Sequence, residues 1–286
     1  LSRNKDRLGM GNPQPQNIPT PPQQSKAPGE GFSFVVPTEF VELPSKGRFY
    51  SPDHPLHMKE TVEIKQMTAK EEDLLTSRSL LKKGVALERV IESVLVGKNI
   101  NPATLLVGDR NAIVVALRVS GYGNDYETHV SCPACGSQQK YEFDLNEIEV
   151  YDGDSEVDPT TEHLGNGFFS TKLPQTEVTV VFRLLSGADE QRAFKQFSGA
   201  KKRQKDENLI TSQLRTMIVS VNDSQEPGDI HYVVENMPSS DARHLRLAYK
   251  LSAPNLDMTQ DFACTSCGQE QELEVPLTAD FFWPDR

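Results

Sequence analysis

All four cysteines of the 286-residue chain lie in two matching segments. One reads Cys132-Pro133-Ala134-Cys135-Gly136, the other Cys264-Thr265-Ser266-Cys267-Gly268. A Cys-x-x-Cys-Gly turn aims two thiolates at one point, and its glycine supplies the backbone freedom that the turn requires. Two thiolates are too few for a stable zinc site, whereas four make a tetrahedral one. The pattern predicts one structural Zn2+ per chain, held by Cys132, Cys135, Cys264 and Cys267. Such a site is coordinatively closed, so it stabilises the fold and does not catalyse. Positions 136–263 separate the two pairs, where a simple zinc ribbon has roughly 15–20 residues. Competing readings are two separate redox-active or disulfide pairs, or free thiols at a site that has lost its metal. For the redox reading, no helix N-terminus follows Cys135 to lower a thiol pKa.

The remaining chemistry-bearing residues form weaker patterns. His54 and His57 lie three apart in a proline-bounded loop, with no carboxylate pattern nearby to specify a metal. Pro44-Ser45-Lys46-Gly47 is a turn and lacks the glycine spacing and helix start of a phosphate loop. Asp152, Asp154, Glu156 and Asp158 alternate, but they meet no EF-hand frame and read as a solvated loop. His129 has no counterpart beside the second cysteine pair and reads as a surface residue. No triad spacing and no helix bearing two metal-binding histidines is present, so no catalytic residue is assigned and the chain does not read as an enzyme.

The elements that must carry the cysteines can be read in order. Thr61–Met67 alternates as a strand. Thr68 with Glu71 makes a capping box for a helix containing Leu74 and Leu75. A second helix carries Leu87, Val90, Ile91, Val94 and Leu95 and ends near Gly97. Asp109 reads as the cap of a third, with Ile113, Val114, Ala116 and Leu117, closed by Tyr122-Gly123. A strand from Tyr126 to Val130 enters the first cysteine turn, and Lys140 to Leu145 returns from it. Residues 151–167 read as a surface connection. The order then recurs: a strand at Glu177–Arg183, a helix capped by Ser186 with Asp189 in the box, a helix through Leu209, Leu214, Met217, Ile218 and Val221, a helix capped by Asp241, and the second cysteine turn.

One shift of 132 residues carries Asp109 onto Asp241, Ala116 onto Ala248, Cys132 onto Cys264 and Cys135 onto Cys267. It also pairs Gly136 with Gly268, Gln139 with Gln271, Glu142 with Glu274 and Leu145 with Leu277. A gap-free register across a helix, a turn and a return strand predicts a duplicated unit. The expected fold is therefore α/β (α+β): two related strand–helix–helix–zinc-knuckle repeats packed about a pseudo-two-fold, sharing one four-cysteine site. The expected boundaries are a disordered Pro/Gln-rich arm at 1–31, a first repeat at 32–150, an acidic connector at 151–176 and a second repeat at 177–286.

Thirty basic against 41 acidic side chains give a net charge of −11. That disfavours wholesale binding to nucleic acid or to an anionic membrane. Glu270, Glu272 and Glu274 beside the second cysteine turn would repel phosphate there. Lys201-Lys202-Arg203-Gln204-Lys205 is the one strongly basic run and reads as a solvated face. No apolar run approaches the roughly 18 residues of a membrane span, and no apolar segment follows the basic start to suggest a signal peptide.

Further motifs carry a resemblance. They are Leu43-Pro44-Ser45-Lys46-Gly47 through Tyr50, Met67 to Ser77, Ser79 to Gly84, Leu106 to Ile113 and Tyr122-Gly123, with the first cysteine turn. In this order they resemble the T4-type bacteriophage baseplate protein family, hub- or wedge-associated structural components of contractile tails. The resemblance covers about residues 43–145, and the internal repeat extends it to the second half. It implies a non-enzymatic part of the virion tail baseplate, assembled in the host cytoplasm. Its implied partners are other baseplate and tail proteins, with the chain itself present in several copies of a symmetric assembly. A zinc-ribbon nucleic-acid-binding or transcription-related protein is the alternative.

Overall fold

The computed structural model describes residues 35–153, 160–199, 209–277 and 279–282. The arm at 1–31, the residues Phe32 to Phe34, and the basic run 201–205 lie outside them. Eight α-helices and twelve strands occur among the described residues, and the strands form five small antiparallel sheets. The fold is thus mixed α/β.

β1 (Thr38–Glu42) and β2 (Thr61–Lys65) pair from Thr38↔Lys65 to Glu42↔Thr61. Their alternation buries Val41, Val62 and Ile64 on one face. Between them the chain makes a loop closed by Leu43 N–H donating to Glu60 O at 2.8 Å. Gly47 holds this loop at φ 71°, and a Cβ there would stand 2.3 Å from Leu56 O, so no other residue fits. His54 stacks on Tyr50 at 4.2 Å, and His57 Nδ1 lies 2.8 Å from Tyr50 O. Both histidines are engaged in shaping the loop.

α1 (Ala69–Thr76) starts with the capping box: Glu71 accepts from Thr68 N–H at 3.0 Å, while Thr68 Oγ1 accepts from Lys70 N–H. Glu71 also accepts from Ser93 Oγ at 2.5 Å, which ties α1 to α3 (Ala86–Val94). Between them lies α2 (Arg78–Lys83). After α3, Leu95 bridges Ile64 of β2. α4 (Val107–Tyr122) follows, then β3 (Asp125–Ser131), β4 (Gln138–Asp144) and β5 (Glu149–Tyr151).

A four-stranded sheet has the order β6 (Thr161–Gly165), β7 (Phe168–Lys172), β8 (Thr179–Arg183), β9 (Ile218–Val221). Between its last two strands lie α5 (Gly187–Gly199) and α6 (Leu209–Met217). α7 (Pro227–Asn236), α8 (Ser239–Ser252), β10 (Asn255–Asp257), β11 (Thr259–Ala263) and β12 (Glu270–Glu274) complete the chain's main elements. β10 pairs with β5 from the far side of the sequence. One hydrophobic cluster runs through all of this, including Ile64, Ile91, Ile113, Phe143, Phe182, Met217, Leu245 and Phe262. Each such side chain contributes about 1.5–3 kcal/mol by burial. No helix among the described residues is long and apolar enough to cross a membrane.

Three local expectations are corrected. Ile218 and Val221 are not helical: α6 ends at Met217 and Ile218–Val221 is a strand on β8. Their spacing suits a helix, but β-branched residues beside an open sheet edge gain more from pairing. Asp109 and Asp241 are not N-caps. Leu106 and Pro238 occupy those positions, and each aspartate stands in the first helical turn. Within the stretch read as a surface connection, Thr161–Gly165 is a strand, joined to β7 through Asn166 and Gly167 at φ 49° and 74°. That is the left-handed turn chemistry of a two-residue hairpin.

Candidate metal centre

Each cysteine turn closes an antiparallel hairpin. β3 and β4 pair from Asp125↔Asp144 to Ser131↔Gln138, and β11 and β12 from Thr259↔Glu274 to Ala263↔Glu270. In the first turn Cys132 N–H donates to Ser137 O and Gly136 N–H to Cys132 O, at 2.9 and 2.8 Å. In the second, Cys264 N–H donates to Gln269 O and Gly268 N–H to Cys264 O, both at 2.9 Å. Gly136 and Gly268 have φ 72° and 69°, and a Cβ on either meets nothing within 4 Å. These glycines serve backbone conformation alone.

The two turns meet tip to tip. The four Sγ atoms all lie within 4.8 Å of one another. Cys135 Sγ is 3.8 Å from Cys264 Sγ, and Cys132 Sγ is 3.9 Å from Cys267 Sγ, both across the hairpins. Four sulfurs at about 2.3 Å from one ion stand about 3.8 Å apart in a tetrahedron. None of the four cysteines is in a disulfide. Cys132 and Cys264 are buried, while Cys135 and Cys267 are exposed.

Ser137 Oγ, 3.0 Å from Cys135 Sγ and 3.5 Å from Cys264 Sγ, favours the charged form of both and draws Cys264 down to about 6. The Gln269 backbone favours the Cys267 thiolate too, but the Cys264 sulfur, burial and the sulfurs of Cys135 and Cys132 together outweigh it and push Cys267 up to about 12. Four thiolates at this separation need a cation among them, which is the chemistry a divalent metal supplies. The donor set and its geometry therefore fit a tetrathiolate metal site.

Side chains away from the sulfurs also join the hairpins. Gln139 Oε1 accepts from Thr265 N–H at 2.9 Å, and its Nε2 donates to Ala263 O at 3.2 Å. Tyr141 OH donates to Asp261 O at 2.6 Å, and Gln260 Nε2 to Asp144 O at 2.6 Å. Tyr141 meets Phe262 edge-on at 5.1 Å. Arg118, fully buried in α4, donates through Nε to Phe281 O at 2.7 Å and through Nη2 to Asp125 O at 2.8 Å. Arg118 thus ties α4 to the short helical turn at Ala279–Phe282. His129, on β3, contributes no ligand atom to the cysteine cluster.

Two buried carboxylates anchor the helices that lead to the hairpins. Asp109 accepts from Ser45 N–H at 3.0 Å, Ser45 Oγ at 2.7 Å and Tyr50 OH at 2.6 Å. Burial pushes its carboxyl up against the pull of Tyr50 and Ser45, and burial likewise raises the Tyr50 phenol. Asp241 accepts from Gln175 N–H, Thr176 N–H and Thr176 Oγ1 at 2.8, 3.0 and 2.7 Å. Ser137, Gln139 and these loop donors escape a reading by motif, because only the third dimension brings them to their partners. The equal spacing of the two aspartates from the cysteines is the one signal that singles Asp109 and Asp241 out.

Residues 36–283 match the family described as T4 bacteriophage base plate protein, and the chain belongs to that family. No curated protein and no solved structure is similar enough to the chain to show kinship.

Proposed function

We propose that this protein is a structural component of a contractile phage tail baseplate, binding other baseplate and tail proteins during assembly in the host cytoplasm. The observation that carries the reading is the family match over residues 36–283. In it the metal is zinc, one ion per chain. Cys132, Cys135, Cys264 and Cys267 are its ligands, and the site clamps the fold without catalytic work.

The reading includes two related units sharing that site. Its support is an ordered series of like features. The ladder β1–β2 opens on Thr38↔Lys65, and β7–β8 on Phe168↔Arg183, each five pairs long. Next come Thr68 with Glu71, and Ser186 with Asp189, each carboxylate accepting from the backbone and hydroxyl of the residue three before it. A helix then ends beside the second strand, where Leu95 meets Ile64 and Ile218 meets Phe182. Asp109 bonds a serine and Asp241 a threonine, each in a loop that follows a Leu-Pro pair. The two cysteine hairpins close the series. Such agreement across strand, cap, buried acid and turn suits a duplicated unit.

The test is to tag the chain in its phage, purify tails and ask by mass spectrometry whether it travels with them. Its recovery with baseplate or tail-assembly complexes, and loss of complete baseplates when it is deleted, is the expected result. Normal baseplates in the deletion would overturn the reading.

A further inference from the structure

β7 is covered on both edges, by β6 and β8, whereas among the described residues β1 pairs with β2 alone. Hydrogen bonds from Leu43 N–H to Glu60 O and from Gln66 N–H to Pro37 O fix which residues of β1 face β2. By antiparallel alternation, the N–H and C=O groups of Thr38, Phe40 and Glu42 point away from it. A bare edge of this kind is a template for another strand. Residues 36 and 37, which lead into β1, do not form the kind of two-residue turn that leads into β7. Val36-Pro37 stands where Asn166-Gly167 turns, and proline cannot take the positive φ that such a turn needs.

Beside the bare edge runs a groove of about 280 Å³, lined by Val41 and by Ala112, Val115, Ala116 and Val119 of α4, with Ile148. Glu39 also lines it, and its Oε1 is buried without a hydrogen-bond partner. Phe40 on the other face of the strand is 72% exposed. In the sheet of β7 the matching place is filled: His163 of β6 lies opposite Phe169 and stacks on it at 4.8 Å. Phe169 holds the second position of its ladder, as Glu39 does in β1.

We propose that the edge of β1 is a strand-addition site for an extended segment of another protein, alternating apolar side chains with one lysine or arginine set against Glu39. The apolar side chains enter the groove, the main chain bonds Thr38, Phe40 and Glu42, and the cation satisfies the Glu39 carboxylate. A second copy of β1 is a poor occupant, because Glu39 and Glu42 of each copy would face like charges. The inference rests on the two-unit reading for the comparison of the sheets.

The probe is a capped heptapeptide of alternating threonine and valine with a central lysine, titrated by fluorescence anisotropy into the full zinc-loaded chain. Saturable binding is expected, weakened about tenfold or more when glutamate replaces the lysine. Glu39→Lys should reverse that preference. N-methylation of the edge-facing peptide amides should abolish binding. Phe40→Pro should do the same, since it removes an outward N–H and spares the β1–β2 bonds. Unchanged zinc content in the variants shows that they fold. No saturation at millimolar peptide, or binding indifferent to both N-methylation and Phe40→Pro, would overturn the proposal. A zinc count of one with no peptide binding would sink the edge and leave the two-unit reading standing.

Discussion

Cys135 Sγ and Cys264 Sγ lie 3.8 Å apart, although 129 positions separate the two residues in the chain. Each belongs to a different hairpin, so neither hairpin alone can bind a metal with four sulfurs. The long spacing is then filled by helices and strands and not by an oversized loop.

Cys132→Ser and Cys264→Ser open the same site from opposite sides, and both residues are buried. Thermal unfolding of zinc-loaded protein should show similar drops in Tm, on the order of 10 °C. If one substitution is harmless and the other severe, the site is not shared.

The turns themselves offer a gentler probe. Gly136→Ala and Gly268→Ala force a Cβ into the left-handed region at φ 72° and 69° with open space around it. Each should cost about 1–2 kcal/mol, from backbone strain alone. Urea unfolding of the two variants should give equal losses within about 0.5 kcal/mol.

Tyr50 donates to Asp109 and accepts from Leu106 N–H at 3.0 Å, so its hydroxyl links the loop after β1 to the start of α4. Tyr50→Phe leaves a buried carboxylate oxygen and an amide each short of a partner. It should destabilise by roughly 1–3 kcal/mol without altering zinc content. Denaturant midpoints and elemental analysis of the same sample check both halves of the statement.

Asp189 supplies a pH-dependent term. Burial alone would raise its carboxyl, but the bidentate pair with Arg183, at 2.8 and 2.6 Å, and the Ser186 donors bring it down to about 2. A depressed folded pKa contributes stability above the unfolded value near 3.9, and that contribution is lost as pH falls toward the folded one. Asp189→Asn should therefore cost roughly 1.5–3 kcal/mol at pH 7. The gap from the native protein should narrow between about pH 4 and pH 2. A gap that stays constant across that window would place the stabilisation elsewhere.

What the sequence discloses follows the range of the forces involved. The Thr68–Glu71 box and the cysteine turns are legible because their partners lie within five residues. The helix α4 is legible from its length and periodicity, but the place of Asp109 within it is not. Its partners Ser45 and Tyr50 lie 64 and 59 positions away, and without them an aspartate near a helix start looks like a cap. The same holds for Ile218–Val221, where helical spacing and β-branched composition disagree and only the neighbouring β8 decides between them. α7 opens with Pro227 at its first turn, a start signal with no strong apolar stripe behind it. The Gln139 bridge between hairpins is invisible before the hairpins are docked.

Zinc-edge X-ray absorption on the purified, reduced protein reads out whether a single zinc joins the two hairpins through four thiolates. One zinc per chain with four sulfur neighbours at about 2.3 Å is the expected result. Two zincs per chain, a first shell with fewer than four sulfurs, or a folded and reduced protein without zinc would contradict it.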